Sequence, residues 1–254
     1  MSNQDPKIKV IPDTLKGVVS AVERGEYRIP QFQREFIWEK TKVMRLFDSI
    51  YNEYPIGTFF LWKATRTHNK LFRHSVSLGV RPVEENDDVS FILDGQQRIT
   101  SLFATLQGIT VGGTDYSRIC FDVKNESFAY RTPDNTRYIR VCDIWGARAL
   151  EVVDAVAPEH KHAYRRCFSI LQTYPVSIVR VHDKDLPSVC DIFQRINQAG
   201  KRLDRFDLIS AMTFREDFDL REKFKSDILH KLRENGFGDI SPAGVTQLLA
   251  LIRK

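Results

Sequence analysis

The stretch Phe91-Ile92-Leu93-Asp94-Gly95-Gln96-Gln97-Arg98-Ile99-Thr100-Ser101-Leu102 decides how this chain is read. An apolar run stops at Asp94-Gly95, and apolar residues then recur at Ile99, Leu102, Phe103 and Leu106. The run predicts a buried strand, the dipeptide a tight turn, and the spacing an amphipathic helix that closes near Gly108. Gln96, Gln97 and Arg98 therefore fall in the first helical turn. Unpartnered N–H groups and the positive end of the helix dipole suit that turn to a phosphate. Gly95 lets the backbone approach closely, and the two glutamines can donate and accept. Arg98 adds a guanidinium fork, and Asp94 adds a carboxylate that could hold a metal or a water. On composition alone, a plain turn with Arg98 paired to a surface carboxylate explains the same residues.

The flanking sequence predicts a mixed architecture. Upstream, Leu15 to Glu23 reads as a short helix ended by Gly25, with loose chain over residues 1–10. Tyr27 to Arg34 reads as extended, because Pro30 holds Ile29 out of the helical region. Val43, Leu46, Phe47, Ile50 and Tyr51 keep helical spacing up to Pro55, and Gly57 to Trp62 reads as a buried strand. Val89 to Leu93 is the strand that leads into the turn.

Downstream, Ile119–Val123 and Ser127–Tyr130 predict a hairpin, and Arg137 to Val141 a further strand. Residues 143–172 look helical with a break at Pro158, and Pro175 to Val181 is a β-branched strand. Val189, Ile192, Phe193 and Ile196 make another helical stripe, stopping near Asn197 and Gly200; the remainder reads as helices. The fold class is therefore α+β, with an α+β core over 1–182 and a helical extension over 183–254.

Composition sets outer limits. The chain has 254 residues, 42% hydrophobic and 28% charged, which suits an ordinary globular protein. Its net charge of +5 and isoelectric point near 9.0 lean toward polyanionic partners, although a basic surface without function fits as well. Cys120, Cys142, Cys167 and Cys190 form no C-x-x-C pair and read as buried reduced thiols. No signal pattern and no apolar run of spanning length occurs, so a cytoplasmic location without membrane contact is expected. The apolar stretch Val245–Ile252 close to Lys254 leads us to expect further chain or a partner beyond it. Walker-type glycine loops, G-x-S-x-G and H-E-x-x-H are absent from the sequence.

Two further segments join the first. Ile29-Pro30-Gln31-Phe32-Gln33-Arg34-Glu35-Phe36-Ile37-Trp38 places a Gln-Arg pair among large apolar residues, and Phe193-Gln194-Arg195-Ile196-Asn197 precedes Gly200 and Leu203. Each alone is explained as a half-buried segment or a helix stop. Together with the Asp-Gly-Gln-Gln-Arg segment, in this order, they resemble the N-terminal domain of GmrSD-type restriction proteins, of the ParB/sulfiredoxin-like superfamily. The resemblance spans about residues 12–215.

That resemblance implies a core that binds a nucleoside triphosphate and hydrolyses it with a divalent metal such as Mg2+, in a bacterial anti-phage restriction protein acting on modified DNA. DNA cleavage would belong to a nuclease domain or subunit downstream; homo-oligomers are compatible with this. Carried over by position, Asp94, Gln97 and Arg98 match the signature site, with Asp94 holding the metal or its water and Gln97 orienting the attacking water. Arg98 and Arg34 would bind phosphate oxygens. Gln33, Gly95, Gln96 and Asn197 would complete the nucleotide pocket. The alternative is a non-catalytic sensor of nucleotide or modified DNA that regulates a separate nuclease.

Overall fold

The computed structural model describes residues 7–29, 36, 38–64, 88–134, 136–182, 184, 186–196, 206, 210, 218–241 and 244. Along them run β1 (Ile8–Thr14), α1 (Leu15–Glu23), β2 (Tyr27–Arg28), α2 (Lys40–Tyr51), β3 (Phe59–Lys63), β4 (Ser90–Asp94) and α3 (Gln96–Gln107). There follow the short β5 (Thr110–Val111) and β6 (Thr114–Asp115), then β7 (Ile119–Asp122), β8 (Ser127–Tyr130) and β9 (Tyr138–Arg140). Helices α4 (Val141–Trp145), α5 (Ala149–Ala155) and α6 (Lys161–Thr173) precede β10 (Pro175–Val181) and α7 (Leu186–Ile196). A last helical segment covers Leu220–Lys223, Phe224–Leu229 and His230–Glu234. The architecture is α+β.

The main sheet has the order β1-β10-β3-β4-β2, and a smaller one the order β8-β7-β9. In the main sheet β10 and β3 are parallel, as are β2 and β4, while β1–β10 and β3–β4 are antiparallel. It follows that β1, β2 and β4 all point the same way. Their carboxyl ends, and with them the starts of α1 and α3, lie at one end of the sheet.

Alternation along the strands divides the core between two faces. Phe59, Leu61, Ile92 and Ile178 pack with Val18, Phe47, Leu102 and Leu171 from the helices. On the opposite face Trp62, Phe91 and Leu93 meet Val189 and Phe193 of α7. The rings of Trp62 and Phe91 lie 5.5 Å apart. Burying each such side chain contributes about 2–3 kcal/mol. Helix α7 lies beyond residue 182, yet it closes this second face.

Helix α1 forms where the sequence predicts it. Thr14 is extended at φ −114°, and its Oγ1 accepts from the Gly17 N–H at 3.1 Å, which satisfies one of the free donors. The expectation of loose chain over 1–10 fails at Ile8–Val10, which belong to β1. This edge strand is turned so that Ile8 and Val10 are exposed while Lys9 shares the inner face with Ile11. Pairing of Lys7 with His182 and Leu15 with Tyr174 directs the odd-numbered residues' backbone groups to β10. The even-numbered ones face the open edge, where Pro12 offers no N–H to a further strand.

The hairpin and β9 stand as predicted, and the helical stretch breaks twice, after Trp145 and at Pro158. Cys120 and Cys167 are buried and reduced; Cys142 is half-buried and also reduced. Burial pushes the Cys120 thiol up to about 12. Among the described residues, no helix is long and apolar enough to cross a membrane.

Candidate functional site

Strand β4 delivers Asp94 to the sheet end, and Gly95 reverses the chain at φ +93° before α3 begins. A side chain at Gly95 would place its Cβ 2.4 Å from Cδ1 of Phe59, so only glycine fits without displacement. The N-cap residue of α3 is Gly95, which has no side chain to accept from the first-turn N–H groups as Thr14 does for α1. Gln96 and Gln97 are buried, and both have partners. Ser101 Oγ donates to Gln97 O at 2.7 Å, which ties the first turn to the second.

Arg98 is the hub of the junction. Its Nη1 donates to Ile56 O at 2.6 Å. Its Nη2 donates to Thr58 O at 3.0 Å and to Asp94 Oδ2 at 2.9 Å. The guanidinium carbon lies 4.9 Å from the centre of the Phe59 ring. These bonds leave the Nε–H and one Nη1 hydrogen. The Arg98 side chain is 16% exposed and that of Asp94 33%. Burial lowers the Arg98 pKa from its ordinary value, opposed by the Asp94 carboxylate.

The segment before β3 is built to receive this fork. Gly57 takes φ +83°, and a Cβ there would sit 2.7 Å from Arg98 Nη1. Tyr174 Oη donates to Tyr54 O at 2.5 Å. The carbonyls of Tyr54, Ile56 and Thr58 are therefore gripped by side chains from distant parts of the chain. Gly57 and Phe59 were not singled out in the sequence. Pro55-Ile56-Gly57 signals a turn, but nothing local shows an arginine arriving across separations of 40 and 42 residues.

The structure thus brings together Asp94, Gly95, Gln96, Gln97 and Arg98, with Arg98 on Asp94. Gln33, Arg34 and Asn197 lie outside the described residues. Strand β2 runs parallel beside β4, so the carboxyl ends of both strands point the same way. Among the described residues, no group of three or more His, Cys, Asp or Glu side chains is placed to hold a metal ion. Asp94 alone suits a cation carried largely by phosphates and waters, the usual manner for Mg2+, rather than one caged by protein.

Residues 15–214 match the family described as the GmrSD restriction endonuclease, N-terminal domain. The match covers most of the chain, and the protein belongs to this family. A relative, described as uncharacterized protein MJ0686 of Methanocaldococcus jannaschii, is 26% identical over 280 aligned residues, covering 91% of this chain and 46% of the relative. The chain spans less than half the length of that relative. The family's name sets this domain in the context of DNA restriction.

Proposed function

We propose that this domain binds a nucleoside triphosphate at the β4–α3 junction and hydrolyses it, as one module of a bacterial restriction protein that acts on DNA, including modified DNA. The observation that carries this reading is the pairing of Asp94 and Arg98, fixed against each other where Gly95 leads into α3. Asp94 stands at the carboxyl end of its strand, the position where ligands meet open α/β sheets. A ParB/sulfiredoxin-like core is part of the reading, as is a nuclease elsewhere in the full protein or its complex.

In this reading the phosphates lie against the first-turn N–H groups of α3. Arg98 keeps Asp94 in one rotamer and adds fixed positive charge close by. Asp94 Oδ1 takes the attacking water or a cation ligand, and Gln97 orients the water. A bound Mg2+ would supply charge neutralisation between phosphate oxygens. Gln33, Arg34 and Asn197 are assigned to the pocket wall through the family pattern alone. Phosphoryl transfer needs mainly positioning and charge stabilisation, which a rigid, partly buried constellation can supply.

A second reading is a sensor that binds nucleotide without turnover. It is favoured by the internal use of Arg98, whose bonds to Ile56 O, Thr58 O and Asp94 Oδ2 leave few donors for a transition state. Phosphate release from mixed nucleoside triphosphates, with Mg2+ or with EDTA, separates the two. Mg2+-dependent release lost in Asp94→Ala supports hydrolysis. Nucleotide binding without release supports the sensor, and binding of no nucleotide removes both.

A further inference from the structure

Away from the junction, a chain of cations and rings follows the smaller sheet from β8 to β9. Lys40 Nζ stands 4.3 Å from the centre of the Tyr130 ring, and the Arg118 guanidinium carbon 5.0 Å from it. Arg118 Nη2 reaches Thr132 Oγ1 at 3.4 Å. The Arg131 N–H donates to Arg118 O at 2.9 Å, which joins the two arginines across the β7–β8 ladder. The Arg131 guanidinium carbon lies 5.2 Å from the Tyr138 ring, and that of Arg137 4.8 Å from the same ring. Each tyrosine thus holds two cations.

The charges along this ribbon are unequally balanced. Arg137 is bonded through Nε and Nη2 to Asp122, at 3.0 and 2.9 Å, and is a structural partner of the hairpin. Lys40, Arg118 and Arg131 are exposed, and none has a carboxylate within ion-pair distance among the described residues. Lys40 is also the first residue of α2, where the helix dipole disfavours a cation. Rings hold these side chains in place without neutralising them. Uncompensated, ordered cations interleaved with aromatic rings and a threonine hydroxyl match the phosphodiester backbone of a nucleic acid.

We infer that the Lys40–Tyr130–Arg118–Arg131–Tyr138 ribbon is a DNA-contacting surface that grips backbone phosphates. This rests on the DNA part of the reading above and is separate from nucleotide hydrolysis at Asp94. The contacts are to phosphates, so the surface fixes the position of the duplex and leaves recognition of sequence or mark to other residues.

The test measures binding of a labelled DNA duplex by fluorescence anisotropy across a salt series, for the native protein, Arg118→Ala/Arg131→Ala, and Lys225→Ala/Lys231→Ala, an equal charge change on the last described helix. The first pair is expected to weaken binding roughly tenfold or more and to flatten the dependence of log affinity on log salt by about 2, while the second changes neither. Tyr138→Phe should bind as the native protein does, and Tyr138→Leu should lose affinity because its arginines are no longer staged. Equal losses in both charge pairs overturn the proposal, as does native affinity in Arg118→Ala/Arg131→Ala. Displacement of the duplex by polyglutamate at equal charge also overturns it, since the ribbon would then accept any acid chain. If the native protein binds no duplex even at low salt, the ribbon and the DNA part of the earlier reading fall together. Phosphate release still judges the nucleotide site separately.

Discussion

At the β4–α3 junction a guanidinium is half-buried and shared among three oxygens, while along the smaller sheet guanidiniums lie exposed over tyrosine rings. Arg98 holds backbone carbonyls and one carboxylate in a single geometry, so its loss should disturb position. Arg118 and Arg131 hold no acid among the described residues, so their loss should disturb affinity and its response to salt. The same residue type serves two ends, and burial decides which. A buried cation must be paired to offset its desolvation. An exposed one can remain unpaired and available.

The contrast is broken most forcefully at the glycines. Gly95→Ala forces a side chain into a left-handed conformation and against the Phe59 ring, and should cost about 3 kcal/mol of stability in urea denaturation. Gly112 also has positive φ, but a Cβ there meets nothing within 4 Å. Gly112→Ala should cost about 1 kcal/mol, the backbone strain alone. Equal losses would mean that Gly95 is not closely packed.

Arg98→Lys keeps the charge and removes the fork. A stability loss of about 1–3 kcal/mol is expected, together with a fall in turnover that exceeds any rise in KM, because Asp94 loses its fixed orientation. Turnover close to that of the native protein would show that charge alone suffices there.

A smaller effect belongs to Asp122. Burial opposes ionisation of its carboxyl. The Arg137 guanidinium and the N–H groups of Asn125 and Lys124 outweigh burial and hold the pKa below the ordinary carboxylate value. Its folded pKa is therefore depressed. The stabilisation is present above the unfolded value near 3.8 and is lost as pH falls through the lower folded value. Denaturation profiles below about pH 4 should be flatter in Asp122→Asn than in the native protein. The smallest effect on stability is expected for Arg131→Ala, within about 0.5 kcal/mol by the same measurement, since the residue is exposed and forms no ion pair among the described residues.

Much of this was legible in local pattern. Periodicity located α1, α3 and the β7–β8 hairpin, because each has its apolar side turned to the core. Strand β1 was missed because Ile8 and Val10 face outward and Lys9 faces the sheet's inner side, a reversal of the usual alternation for an edge strand. Asp94, Gly95 and Arg98 stood out through the broken apolar run. That Arg98 would close onto Ile56 O and Thr58 O was not legible, since carbonyl acceptors have no sequence signature and the partners are far apart in the chain. The ribbon was hidden for a related reason: Lys40, Arg118 and Arg131 converge only after α2 packs on β8 and β9 joins β7.

The most direct trial of the central claim is Mg2+-dependent phosphate release by the native protein and by Asp94→Asn, with nucleotide binding measured on both. Hydrolysis at this junction requires release by the native protein, and a loss of about 100-fold or more in the variant with nucleotide still bound. Release that is unchanged in Asp94→Asn, or absent from a native protein that binds nucleotide, would contradict hydrolysis at this junction.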